Sequence, residues 1–397
     1  MTMSIDFTAE AVPLAEELVA IRRYLHQIPE LGLELPQTQA KVVEELADLP
    51  VEIHKGEGLD SVVAILRGGR PGPRVLLRGD MDALPVAEET GLDFASANGR
   101  MHACGHDLHV TGLLGAAKLL SAHQAELPGT VLFMFQPGEE GPGGAQPMID
   151  EGMLDMLDGP IDAAYAIHVG AGERGVFNTR PGTIMAGANQ LHVTFHGRGG
   201  HASQPSKSID PVRPTVEFAQ ALNAAVTSSF SVFDPVVASV TQLHGGDAVN
   251  VIPPSAGVGV SVRTLSAQST ELFPQVATRL AESIATAHGC TAEVDWQVQY
   301  PVTVNDEAEA RFALDTLTGV FGPERVVESP DPLMGSEDFS LVLNEVPGAF
   351  VFFQIAPADV DPETGPANHS PLVRFDDSYL PDQAAALATL AWERLSR

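Results

Sequence analysis

The sequence predicts an α/β fold in two parts. The larger part is a catalytic domain with a mixed, largely parallel sheet flanked by helices; the smaller is an inserted domain of ferredoxin-like βαββαβ order. Three observations lead there. Short β-type runs alternate with helical patterns through roughly the first 170 residues, as in parallel-sheet domains. Residues 187–299 then change rhythm to strand, helix, strand, strand, helix, strand. Polar motifs fall directly after apolar strand runs, where ligands sit in open α/β sheets. On this reading residues 1–186 and 300–397 form the larger domain and residues 187–299 the insertion.

Taken in order, an amphipathic pattern over residues 8–27, with Leu14, Leu18, Ile21 and Leu25 on one face, predicts a first helix that stops near Pro29. Strand-like runs follow at residues 61–66 and 75–77. A helix is expected over 107–125, and buried strands over 130–135 and 163–167. In the insertion, strands are expected at 190–195, 236–243, 257–262 and 291–300, with helices at 212–226 and 270–287. A loop is expected at 357–366 and a final helix at 382–397.

Composition excludes several classes. A chain of 397 residues with 44% hydrophobic and 19% charged residues is an ordinary globular protein. Acidic residues outnumber basic ones 52 to 22, for a formal charge of -30. Such a surface repels phosphate backbones and anionic lipid, so neither nucleic acid nor membrane is an expected partner. Only two cysteines, Cys104 and Cys290, stand far apart, which suits a reducing compartment. Residues 1–17 carry acids and no basic-then-apolar leader pattern, and no apolar run reaches spanning length. The expectation is a cytoplasmic protein.

The tract Met101-His-Ala-Cys-Gly-His-Asp-Leu-His109 carries the most chemistry. Thiolate, imidazole and carboxylate are the side chains that bind divalent transition metals. Cys104 and His106 stand at an expected helix start, whose partial positive charge favours a thiolate. Glu139 and Glu140 follow a strand in a Gly/Pro-bounded turn, where one carboxylate can face a metal and the other a water. His168 ends an apolar strand and His369 sits in a polar loop. Asp80 and Asp82 also follow a strand, and a buried carboxylate there can orient an imidazole. Each feature has a plainer reading: a solvated acidic turn for the glutamates, a satisfied core histidine for His168, an Asp-rich turn for the aspartates. Together they can supply a two-metal hydrolytic centre.

These motifs in this order resemble the dinuclear metallopeptidase and amidohydrolase family of aminoacylases and glutamate carboxypeptidases. The likeness is greatest to the branch of hippurate hydrolase, N-acyl-amino-acid amidohydrolases and auxin-conjugate hydrolases. It spans nearly the whole chain. It runs from Arg22-Arg-x-Leu-His26 and Pro29-Glu-Leu31, through Gly79-Asp-Met-Asp-Ala-Leu-Pro85, the Cys-Gly-His-Asp motif at 104–107 and Gln136-Pro-Gly-Glu-Glu140. Beyond His168 it includes Gly199-Gly-His-Ala202, Asn250-Val-Ile-Pro253, Gly335-Ser-Glu-Asp-Phe339 and His369. The resemblance implies two divalent ions, zinc or manganese with cobalt or nickel as further options, bound by Cys104, His106, Glu140, His168 and His369. Glu139 would be the general base. His201 would stabilise the oxyanion from a neighbouring subunit, with Asn250, Arg263, Gly335 and Ser336 at the substrate and Asp82 behind a ligand. It also implies that the insertion is a lid and forms a homodimer, and that the substrate is an N-acyl amino acid. Gln204-Pro-Ser206 departs from the family's usual Met-Pro-His. The Arg22–Glu30 tract is assigned to helix packing and capping.

Two rival readings remain at this point. One is a dipeptidase or carboxypeptidase of the same family. The other is a non-catalytic zinc protein in which His102, Cys104, His106 and His109 close a tetrahedral site.

Overall fold

A computed structural model describes residues 5–397. Contacts divide it into two compact units. The larger takes the described residues through Ile184, with Val304–Pro330 and Leu341–Arg397; the smaller takes Met185–Thr303 and Asp331–Ser340. The grouping of Asp331–Ser340 with the smaller unit has no counterpart in the strand and helix rhythm of the sequence.

The larger unit is built on an eight-stranded sheet. Its strands run in the order Glu52–Lys55, Val62–Arg67, Pro128–Gln136, Arg70–Asp80, Ala163–Gly170, Gly348–Gln354, Val176–Thr179 and Val326–Glu328. The four central strands, from Pro128–Gln136 to Gly348–Gln354, are mutually parallel. Strands Glu52–Lys55 and Val62–Arg67 join antiparallel on one side, and Val176–Thr179 pairs antiparallel with Gly348–Gln354 on the other. The sheet is therefore mixed with a parallel centre. Central strands are buried on both faces, which is why they read as continuous apolar runs, such as Phe350, Val351, Phe352 and Phe353.

Helix His106–Ala122 is buried along almost its whole length and packs against the C-terminal helix Leu380–Leu395. Glycine permits the approach: a Cβ on Gly112 would lie 2.6 Å from the Gln383 side chain. The pattern over residues 8–27 forms two helices, Phe7–Ala11 and Ala15–Gln27, joined by a 3-10 turn at Val12–Leu14. Pro13 stands in that turn and lacks the N–H a continuous helix would use.

The smaller unit has four antiparallel strands in the order Val237–His244, Ser255–Thr264, Gly187–His196, Thr291–Tyr300. Helices Val212–Ser229 and Ala267–Ala287 complete the βαββαβ order. Leu191, Val193, Phe195, Val258, Val260 and Val262 point from the sheet into a core shared with Phe218, Leu222 and Phe273 of the helices. The opposite face carries the polar partners of this alternation, including Gln190, His192, Ser261 and Arg263.

Candidate metal centre

The parallel strands of the larger unit deliver their C-terminal ends to one place. Asp80 ends one strand, Gln136 leads another into the Glu139–Glu140 turn, and His168 lies near the end of a third. Cys104 and His106 come from the turn that opens helix His106–Ala122. Gly105 between them has φ 86°, a left-handed conformation that glycine adopts without steric cost. Any side chain there would also collide, since a Cβ would stand 2.3 Å from Val169 Cγ2.

Five expected ligands converge. Donor atoms of Cys104, His106 and His168 lie within 4.8 Å of one another, and so do those of Cys104, Glu140 and His369. Cys104 belongs to both sets. Its Sγ is 3.5 Å from His168 Nε2 and 3.3 Å from His369 Nε2. Glu140 Oε1 is 3.0 Å from His369 Nε2 and 4.0 Å from His106 Nε2. Glu139, His106 and Glu140 form a further close set.

The surroundings fix how these groups present themselves. His168 donates Nδ1–H to the Val169 carbonyl at 2.8 Å, which leaves the Nε2 lone pair facing Cys104. Burial, with His109 alongside, holds this ring well below its ordinary pKa, so it is neutral and able to ligate. His369 has φ 72°, the single left-handed non-glycine backbone among the described residues. Such strain concentrates at functional sites. Its own N–H is tied to the Ala103 carbonyl at 2.9 Å. Asn368 braces the same turn, donating to the Val169 carbonyl at 3.1 Å and accepting from Ala171 N–H at 3.3 Å.

Asp82 does more than face a ring. Its two oxygens accept the backbone N–H groups of Glu139 at 2.9 Å and Glu140 at 3.0 Å, aiming that turn, while Oδ1 lies 3.5 Å from His106 Nδ1. Burial raises the Asp82 pKa, with the His106 contact opposing. Asp80 takes Arg78 at 2.6 Å and His109 at 2.5 Å. Burial works against its charge, but Arg78, His106 and His109 outweigh it and hold the carboxylate ionised.

A cation fits this donor set. Both ring nitrogens of His106 are buried without a well-formed hydrogen bond, a condition costing about 1–3 kcal/mol per group in a native interior. One sequence-based expectation is corrected. The helix start was expected to favour a Cys104 thiolate, but burial pushes the thiol up to about 12. A bound cation, rather than the helix, would have to stabilise the thiolate. His106 behaves in parallel: burial opposes its charging, yet Asp80 and Asp82 raise it well above its usual value.

The closed zinc site does not form. His109 spends Nδ1 on Asp80, and its Nε2 accepts the Val169 N–H at 2.8 Å, so neither nitrogen remains for a metal.

Residues 76–393 match the description Peptidase family M20/M25/M40. The chain belongs to this family. Membership makes it a hydrolase of amide bonds. It is 38% identical over 341 residues to thermostable carboxypeptidase 1 of Saccharolobus solfataricus, covering 84% of this chain and 85% of that one. It is 37% identical over 383 residues to IAA-amino acid hydrolase ILR1-like 5 of Arabidopsis thaliana, covering 94% and 86%. N-acetylcysteine deacetylase of Bacillus subtilis is 35% identical, with 84% and 87% covered. Among solved structures, the Bacillus subtilis YXEP protein, described as a dinuclear metal binding peptidase from the M20 family, superposes with a TM-score of 0.84. That match has 30% identity and covers 97% of this chain and 99% of the other.

The remaining expected residues lie in the smaller unit. His201 and Asn250 are exposed neighbours: His201 pairs with Val251, and Ala202 N–H donates to the Asn250 carbonyl at 3.0 Å. His201 Nδ1 accepts from Ser203 N–H at 3.1 Å, which leaves Nε2 to carry a proton outward. Arg263 Nη1 donates to Ser336 Oγ at 3.1 Å, beside exposed Gly335. Sequence reasoning missed Asn368 and the engagement of His109; neither has a signal in spacing or residue type.

Proposed function

We propose that this protein hydrolyses N-acyl amino acids, with acetyl, benzoyl or similar acyl groups, to a carboxylic acid and a free amino acid. The observation that carries the reading is the sharing of Cys104 by two donor sets, with the Glu139–Glu140 turn aimed beside them by Asp82. In this reading Cys104, His106, Glu140, His168 and His369 hold two divalent ions, zinc or manganese. Ions held there lower the pKa of water and polarise the scissile carbonyl. Glu139 takes a proton from the attacking water and returns it to the leaving amine. His201 donates from Nε2 to the oxyanion. Arg263, with Asn250, holds the amino acid's carboxylate through its planar fork, and Gly335 and Ser336 shape the space around it. The names of the plant hydrolase and the bacterial deacetylase support an acyl-amino-acid substrate. The archaeal carboxypeptidase supports peptide cleavage as the second reading. Turnover of acetyl-, benzoyl- and fatty-acyl amino acids against dipeptides, after metal removal and reconstitution with each ion, separates them. Preference for dipeptides would reject the first reading.

We further propose that residues 187–299 serve as a lid and dimerisation domain, and that the protein is a cytoplasmic homodimer. Strand Val237–His244 is the outermost of its sheet and pairs on one side only. Val237, Val240 and Leu243 are exposed on it, and Phe233 just before it is 96% exposed. An apolar edge strand of this kind is a template for pairing with a second copy. Val240→Lys should convert the dimer to monomer in sedimentation; a wild-type monomer would refute the assignment.

A further inference from the structure

The Arg22–His26 motif forms part of a buried cluster behind the metal centre. Arg22 Nε donates to Asp107 Oδ2 at 2.8 Å, with the two side chains 1% and 0% exposed. His26 Nδ1 meets the same oxygen at 2.8 Å, and its Nε2 meets Glu88 Oε1 at 3.2 Å. Glu88 is anchored in turn by Ser96 N–H at 2.7 Å. Arg22 Nη1 also lies 3.6 Å from Asp377, which Arg23 binds at 2.8 Å. The Arg22 guanidinium and the His26 ring both rest on Phe94.

We propose that Arg22 and His26 are positioning residues for the metal centre, acting through Asp107. This rests on reading Cys104, His106 and His369 as ligands. Asp107 directly follows His106, while the preceding Gly105 has no side chain to fix the turn. The orientation of the Cys104–His106 segment is therefore held from its far side, by the guanidinium and the imidazole that grip the Asp107 carboxylate. The same Arg22 reaches Asp377, eight residues beyond His369, so one guanidinium contacts chain that adjoins two of the four ligand-bearing segments. Stability alone is a poor reason for the cluster. Burying this many charges costs desolvation, and apolar replacements of similar volume are often as stable. Neither side chain touches the donor cage, so their effect passes through geometry.

The test compares metal-stripped wild type with Arg22→Lys and His26→Gln, each titrated with Zn²⁺ or Mn²⁺ against a chromophoric chelator. Leu25→Ala serves as control, since Leu25 is buried on the same helix and lies outside the cluster. Two ions per wild-type chain are expected. Ion affinity should fall about ten- to hundredfold in the two cluster variants, as it does when partners behind metal ligands are removed. Activity lost at limiting ion should return with excess ion. Leu25→Ala should unfold earlier yet keep its ion affinity. Wild-type affinity in both cluster variants, or an equal loss in Leu25→Ala, would overturn the brace. A wild type that takes up no ion would overturn the cage, and the brace with it. Should His26→Gln fail to fold, Arg22→Lys alone decides, because it keeps the charge and loses only the fork.

Discussion

Gly105 offers the most quantitative test of how the donor cage is held. Gly105→Ala places a methyl group 2.3 Å from Val169 Cγ2 and 3.3 Å from Phe375 Cε2, on a backbone with φ 86°. The left-handed conformation costs an alanine about 1–2 kcal/mol. Forcing a methyl into a filled site adds about 1–3 kcal/mol. The single variant should lose about 2–5 kcal/mol, and relief of the clash pushes strand Ala163–Gly170 away from the start of helix His106–Ala122. That motion separates His168 from Cys104 and His106, so ion binding weakens with stability. Val169→Ala alone removes two methyl groups and costs on the order of 2 kcal/mol. In the double variant the Val169 collision is gone, leaving the backbone cost and the tight Phe375 contact, so the two substitutions should couple favourably by about 1–3 kcal/mol. Unfolding of the larger unit can be followed in urea through Trp392, after Trp296 in the smaller unit is replaced by Phe; the chain has two tryptophans. Effects that add to within about 0.5 kcal/mol would refute the steric argument. Wild-type ion affinity in Gly105→Ala would refute its link to the cage.

Further outcomes follow from the same geometry. Glu139→Gln should lower turnover by about 10²–10⁴-fold while both ions remain bound, measured by steady-state kinetics with elemental analysis; loss of an ion would make Glu139 a ligand instead. Cys104→Ala should weaken both ion sites, because the thiol belongs to both donor sets, and retention of two ions at wild-type affinity would reject the shared role. Burial opposes protonation of His26, but Asp107 and Glu88 outweigh it and raise its pKa. Its contribution to metal-free stability is then complete below about pH 6.5 and fades as pH rises through the folded-state value. His26→Gln should flatten that alkaline decline in urea midpoints; an unchanged pH profile would show that the ring does not titrate with folding.

Much of the site was legible because metal ligation restricts residue type. Cys104, His106, Glu140, His168 and His369 stand out as thiol, imidazole or carboxylate donors in turns and strand ends, and the larger unit brings all five together. The parallel centre of the sheet was legible from alternation, and so was the βαββαβ order of the smaller unit. What stayed hidden depends on tertiary contact. Nothing in Ala367-Asn-His-Ser370 announces a left-handed His369 or an Asn368 that braces it, since neighbours impose both. His109 looked as available as His106 until Asp80 and the Val169 N–H were seen to occupy it. The Cys104 thiol was misjudged because a helix start is visible in sequence and the depth of burial is not. Strand Gly348–Gln354 lacks alternation, being covered on both faces, and so resembled any apolar run.

The position of that strand bears on how the protein is made. Gly348–Gln354 lies between Ala163–Gly170 and Val176–Thr179, which are near neighbours in sequence. On the ribosome the earlier pair emerges first and must wait, with a gap between them, while the whole smaller unit is synthesised. Until the late strand inserts, Ala163–Gly170 presents an unpaired apolar border of the sort that recruits foreign chains. Donor His369 arrives later still, so a nascent chain has no complete cation cage to lend it firmness. Truncation shortly before Gly348 should therefore yield aggregates rather than a smaller working enzyme.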